Sequence, residues 1–294
     1  TAVTARSDEI DPAKIPALTI DIDELHMTDA QLGAAKVRTR PTATGMRIEQ
    51  LQTRASKQRI DLSGDWNGTG AAADTHLKVE IGSSDFGALL AGFGLGERLA
   101  AGEGTVKFDA GWPGSPVAFT LEGLAGTLQL DARDGRLLEI EPGAGRVLGL
   151  LSLAQLPRRL TLDFRDFFSK GFAFDKLGGT VRFGDGQARS DNMVIDGPAA
   201  TIDIRGAANL RAQSYDQTIE VRPKAANLLT AIGAVAGGPV GAAIGAAANV
   251  VLNKPLGSMT AKTYRVTGPW KEPKVEVISR EQSRAAVAVQ PPAG

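Results

Sequence analysis

The stretch GRVLGLLSLAQLPRRLTLDFRDFFSKGFAFDKLGGTVRF, residues 145–183, decides how the rest of the chain is read. It opens as an apolar helix, is stopped by Pro157, and turns into strands whose side chains alternate. Leu160, Leu162 and Phe164 point one way; Thr161, Asp163 and Arg165 point the other. A strand with this period of two belongs to a sheet with one apolar face and one polar face. Nearly every other segment repeats the pattern, so the functional question is what covers the apolar face.

Toward the N-terminus the same alternation runs through ALTIDIDEL (17–25), AAKVRT (34–39), GMRIEQLQT (45–53), QRIDLSGDW (58–66) and THLKVEI (75–81). Short alternating strands separated by Gly, Asn or Asp turns indicate an antiparallel meander. Residues 1–14 are polar and read as a loose lead-in. At Ser83 the period changes: Phe86, Leu89, Leu90 and Phe93 fall at helical spacing, with Ser84 or Asp85 placed to cap, so a short helix near 84–93 is laid on the sheet. Gly-Thr-aliphatic-polar-apolar then recurs at 104–108, 126–130 and 179–183. RIDLSG (59–64), TIDIRG (201–206) and YRVTG (264–268) form a second echo, too irregularly spaced for a solenoid and suited to a repetitive sheet.

The helix expected over 144–155 is apolar almost all round through Val147, Leu148, Leu150, Leu151 and Leu153. Such a helix is buried in protein or sits in lipid. Strands continue through FAFDKLGGTVRF, NMVIDG, ATIDIRGAANL and YDQTIEVRP. Residues 225–253 then carry no charge at all, long enough for a membrane span. The Gly237-Gly238-Pro239 break argues instead for a helical hairpin over 226–252, with Leu228, Ile232 and Val235 on one arm and Val240, Ile244 and Val251 on the other. Packing on the sheet comes first for this hairpin, and contact with a membrane second. TAKTYRVTGPW and PKVEVIS close the sheet, and 280–294 reads as a disordered tail.

Charge is balanced, with 33 basic and 33 acidic residues and no basic stripe, which speaks against nucleic acid. The chain has no cysteine, which removes disulfides and thiolate chemistry. His26 and His76 are the whole imidazole inventory, and neither has a carboxylate or second ligand at helical spacing, so no metal site is expected. No nucleophile elbow or phosphate loop is present. GFGLG (92–96) lacks the last glycine of GxGxxG and reads as a helix end followed by a turn. Asp163, Asp166 and Asp175 lie close in sequence without needing a catalytic role, and Arg158 and Arg159 read as solvated strand-start charges before headgroup ligands. Trp66, Trp112 and Trp270 each sit where a strand meets a turn. Neither enzyme chemistry nor a cofactor is expected.

That leaves the apolar face. Exposing it to water costs about 25 cal/mol per Å², so a second sheet must cover it, giving a closed sandwich and a structural or protein-binding module, or lipid chains must, giving a groove.

Residues 143–189, with IDGPAATIDIRGAANL and YDQTIEV, carry a resemblance. These phrases, over roughly residues 120–280, resemble the C-terminal region of YhdP-like proteins of the AsmA-like family, bridge-like lipid carriers of the Gram-negative envelope. The resemblance implies a mainly β fold, an elongated, twisted antiparallel sheet curled into an open groove, with a β-groove part over 15–143 and a C-terminal region over 144–279. It implies a periplasmic module of an inner-membrane-anchored protein, the anchor lying in a missing N-terminal part, that carries phospholipid toward the outer membrane. Acyl chains would lie on Leu128, Leu130, Leu160, Leu162, Phe164, Phe172, Phe174, Val181 and Phe183. Val147, Leu148, Leu151, Leu228, Ile232, Val235, Ile244 and Val251 would touch the inner leaflet of the outer membrane or a protein there.

Overall fold

The computed structural model describes residues 10–95, 98–138, 171–224 and 261–279. Strands make up 68% of them, and all the strands belong to one sheet. In chain order they are β1 (Leu18–Met27), β2 (Ala30–Pro41), β3 (Gly45–Arg54), β4 (Gln58–Asn67), β5 (Asp74–Ser83), β6 (Leu99–Pro113) and β7 (Ala125–Leu137). They continue with β8 (Phe172–Gly184), β9 (Gln187–Asp196), β10 (Ala200–Asn209), β11 (Ser214–Pro223), β12 (Lys262–Pro269) and β13 (Lys274–Ile278). Spatial order equals sequence order, and each strand is antiparallel to the next. The sheet is not closed: β1 and β13 are both edges. The described strands therefore form no second sheet.

The meander follows from turn chemistry. Asp185 and Gly186, at φ +52° and +69°, make the two-residue turn between β8 and β9 that matches the twist of its strands. Because consecutive strands reverse, connections alternate between two rims. Trp66, Trp112 and Trp270 all lie where even-numbered strands end, on one rim, and all three are buried. Trp112 Nε1 donates to the Ser115 carbonyl at 3.0 Å and its ring meets Phe119 edge-on at 5.2 Å. These tryptophans anchor the rim by packing.

The opposite rim carries the helix α1 (Phe86–Gly92) between β5 and β6. Asp85 caps it, its Oδ1 accepting from Ala88 N–H at 3.0 Å. At the other end Gly94, at φ +71°, donates to Ala91 and Leu95 donates to Leu90, which ends the helix at the first glycines of GFGLG. The helix bridges strand starts. Asp29 N–H donates to the Gly92 carbonyl, and a Cβ at Gly87 would stand 2.6 Å from the Leu99 carbonyl oxygen, so α1 lies between β2 and β6 with Phe86 and Leu89 buried beneath it.

The bond from Ala88, reinforced by Lys57, holds the Asp85 carboxyl below its ordinary value. A lowered carboxyl stabilises the fold above its unfolded value, and the contribution is lost as pH falls through the lowered value. Asp85→Ala is expected to cost about 1 kcal/mol at pH 7 and progressively less as pH falls below the ordinary carboxylate range, checked by urea unfolding across that range.

The Gly-Thr repeat has a backbone cause. Gly104, Gly126 and Gly179 sit at φ +149°, +146° and +154°, a region open to glycine and closed to other residues. Each occupies a place inside a strand where a Cβ would strike the neighbouring backbone, 2.1 Å from the Asp131 carbonyl oxygen at Gly104, 2.2 Å from that of Asp109 at Gly126 and 2.7 Å from Met193 Cα at Gly179. At the N-terminus, Pro12–Lys14 forms a 3₁₀ turn capped by Asp11. The helix expected over 144–155, the strand around 160–165, the hairpin over 226–252 and the tail over 280–294 lie outside the described residues.

Candidate functional site: the apolar face of the open sheet

Register turns the alternation into continuous rows. Ile20 pairs with Val37, Val37 with Leu51, Leu51 with Leu62, and Leu62 with Val79. Val79 then pairs with Phe108, Phe108 with Leu128, and Leu128 with Val181. Eight adjacent strands thus give eight apolar side chains in one line, about 34 Å long at the ordinary strand spacing. The line runs across the strands. A neighbouring row, Ile60–Ile81–Val106–Leu130, flanks it. Diagonal and direct cross-strand neighbours on one face are close enough to form a continuous apolar surface.

This surface is covered unevenly. Leu51, Leu62, Val79, Phe108, Leu128 and Leu130 are only half-buried, and Ile20 on the edge strand is 43% exposed. From β8 onward much of the same face is enclosed: Val181 is 8% exposed, and Ile195, Ile202, Val221 and Tyr264 are at most 1% exposed, while Leu177, Ile204 and Gln217 stay half-buried.

Where the rows meet the α1 rim, the inward face changes parity on neighbouring strands. On β7 the inward series Leu128, Leu130, Ala132 gives way to Leu137, with Asp134 at φ +54° between them. On β8 the inward residues change from Val181 and Leu177 to Phe174 and Phe172. A Cβ at Gly135 would stand 2.4 Å from Phe174 Cζ, so the ring fills the space that a side chain there would need. Phe172 and Phe174 are therefore packed core residues of this rim.

The other face is polar and paired. Arg47 meets Asp65 at 2.6 Å, Arg54 meets Asp61 at 2.9 Å, Arg133 meets Glu103 at 2.7 Å, and Arg222 pairs with Asp203. The Arg54 hydrogen bond holds the Asp61 carboxyl low, and Lys224 does the same for Asp196. A polar depression lined by Glu80, Lys107, Gln129, Arg133 and Thr180 belongs to this charged face. Such exposed pairs contribute little stability each, but they keep this face in water.

Sequence spacing did not reveal the histidines' partners. His26 Nε2 lies 3.1 Å from Glu24 and His76 Nε2 lies 2.9 Å from Asp109, because residues two apart on a strand, or diagonal on neighbouring strands, share a face. All four side chains are exposed or nearly so. Burial pushes the Tyr215 hydroxyl up to about 12, so it stays neutral, its ring packed against Trp270 at 5.9 Å. Among the described residues no three His, Asp or Glu side chains converge as metal ligands, and no helix is long and apolar enough to cross a membrane.

Of the lipid-facing residues expected from the sequence, the structure places Leu128 and Leu130 on the half-buried rows, and Phe172, Phe174, Val181 and Phe183 among buried residues of the same apolar cluster. Leu160, Leu162 and Phe164 lie outside the described residues, as do Val147, Leu148, Leu151, Leu228, Ile232, Val235, Ile244 and Val251. The register adds Leu51, Leu62, Val79 and Phe108, whose signal was already present in the alternation of their strands.

Comparison with known proteins fits this geometry. The chain is 30% identical over 227 residues to the intermembrane phospholipid transporter YhdP of Escherichia coli (strain K12), an alignment covering 76% of this chain and 18% of that protein. The chain thus spans less than a fifth of its relative's length. No solved structure matches it. The family model described as YhdP protein matches residues 1–275, and the chain belongs to the YhdP family.

Proposed function

We propose that this chain is a non-enzymatic phospholipid-transfer module, one section of an apolar groove that carries lipid across the periplasm from the inner toward the outer membrane. The observation that carries this reading is the unbroken eight-residue apolar row, half-buried from β3 to β7 on a sheet that does not close. A soluble chain does not leave such a strip to water without an occupant.

Acyl chains fit it. They lie along the row, against Leu62, Val79, Phe108, Leu128 and Leu130, while headgroups stay in water at the open side. The buried Phe172, Phe174, Val181 and Phe183 wall the groove at β8. Movement along the face is passive, because each step exchanges one apolar contact for a like one. The apolar segments around 144–155 and 226–252 touch the receiving membrane in this reading, and the inner-membrane anchor belongs to another part of the protein.

The test is native mass spectrometry with lipid extraction on the chain purified from a Gram-negative host. Phospholipid co-purifying at one or more per chain is the expected result. A folded chain free of lipid would sink the proposal.

A further inference from the structure

We infer that the lipid lane stops at β8, so that acyl chains occupy the face of β2–β7 and do not pass on toward β13. This rests on the lipid-carrier reading above and locates the lane's end. Three independent observations meet at the same strand.

The first is register. The row that starts at Ile20 reaches Val181 and ends, because β8 and β9 shift register between Gly178 and Arg182 and leave Val181 with no residue opposite it. β9 also comes close at this level: a Cβ at Gly179 would stand 2.7 Å from Met193 Cα.

The second is packing beside the lane. The adjacent row that runs Ala132–Leu177–Ile195–Ile202–Val221 is filled beyond β8, where Ile195, Ile202 and Val221 are at most 1% exposed, whereas Leu62, Val79, Phe108 and Leu128 in the lane itself are half-buried. An acyl chain cannot enter space that protein atoms already fill at interior density.

The third is chemistry. Beyond the shift, the face carries a polar row in which Gly206 pairs with both Ser190 and Gln217. Ser190 Oγ is buried with no hydrogen-bond partner. A hydrocarbon chain lying over the half-buried Gln217 removes its access to water without replacing it, which is unfavourable. The eight-residue row of β1–β8 has no such step.

Site-specific photo-crosslinking tests this in the protein expressed in its own host, grown on radiolabelled phosphate. A photoreactive phenylalanine analogue is placed singly at Leu62, Leu128, Ile204 or Gln217, all half-buried inward positions where a larger ring leaves the filled core intact. Labelled phospholipid adducts are expected at Leu62 and Leu128, with at least about tenfold fewer at Ile204 and Gln217. Equal labelling at all four positions would overturn the stop at β8 while leaving the carrier function standing. Absence of labelling at Leu62 and Leu128 would remove the carrier reading, and the stop with it.

Discussion

Leu128→Asp is expected to empty the groove while leaving the chain folded. Leu128 is the seventh of the eight residues in the row, paired with Phe108 on one side and Val181 on the other, and it is half-buried. With the groove empty, the new carboxylate reaches water over the open side. With lipid present, it must lose that water against hydrocarbon and gains no cation from the nearby Lys107 and Arg133, which pair with acids on the other face. A penalty on the order of 3 kcal/mol corresponds to about a hundredfold loss of bound lipid. The matched control is Gln129→Asp, one residue along and therefore on the charged face opposite Lys107, which should retain lipid at the wild-type level. Phospholipid per chain, measured after extraction, together with the thermal unfolding midpoint, separates the outcomes. A folded Leu128→Asp chain with its full lipid complement would show that the row is not the lipid site. Phe174→Asp would be a poor substitute: at 2% exposure it would bury a charge in packed core and unfold the rim before reporting on lipid.

The strands were legible because alternation is a local signal. Every strand from β1 to β13 contains the run that its sequence announces, and α1 was visible in Phe86, Leu89 and Phe93 with Asp85 as its cap. Which rows the strands build was less legible, since register depends on bulges that leave little mark on composition. Nothing in the alternation of β7 shows that the inward face changes parity at Asp134, where a non-glycine residue takes a positive φ within the strand. The same holds for the slip between β8 and β9 that isolates Val181. The candidate site was accordingly drawn from one half of the sheet, residues 128–183. The open half of the lane at Leu51, Leu62, Val79 and Phe108 emerged only when cross-strand partners were known. Burial was likewise out of reach from pattern alone: Leu128 and Phe183 look alike in sequence, yet one is half-buried and the other is 9% exposed.

The Gly-Thr repeat illustrates how a motif without chemistry can still be indispensable, and Gly104→Val is the substitution expected to damage the fold most. At φ +149° a Cβ on Gly104 would point at the neighbouring strand, 2.1 Å from the Asp131 carbonyl oxygen and 2.9 Å from Ala132 Cα. Both are backbone atoms, so no side chain can swing aside. Relief requires β6 and β7 to separate or Gly104 to abandon its φ. The first breaks the ladder in the middle of the sheet, and the second distorts the strand at that point. Strain of about 1–2 kcal/mol for the backbone adds to the lost pairing, for a total on the order of 4 kcal/mol. Gly70→Ala isolates the backbone component, since Gly70 also has a positive φ, +55°, but nothing lies within 4 Å of its missing Cβ. That variant should lose only about 1 kcal/mol. Denaturant midpoints for the two variants decide the matter. If Gly104→Val unfolds no more easily than Gly70→Ala, the close approach at the repeat contributes nothing. If it unfolds far more easily, glycine is required at 104 because the backbone of β7 lies where a Cβ would stand, and the same close approach of backbone at Gly126 and Gly179 accounts for the recurrence.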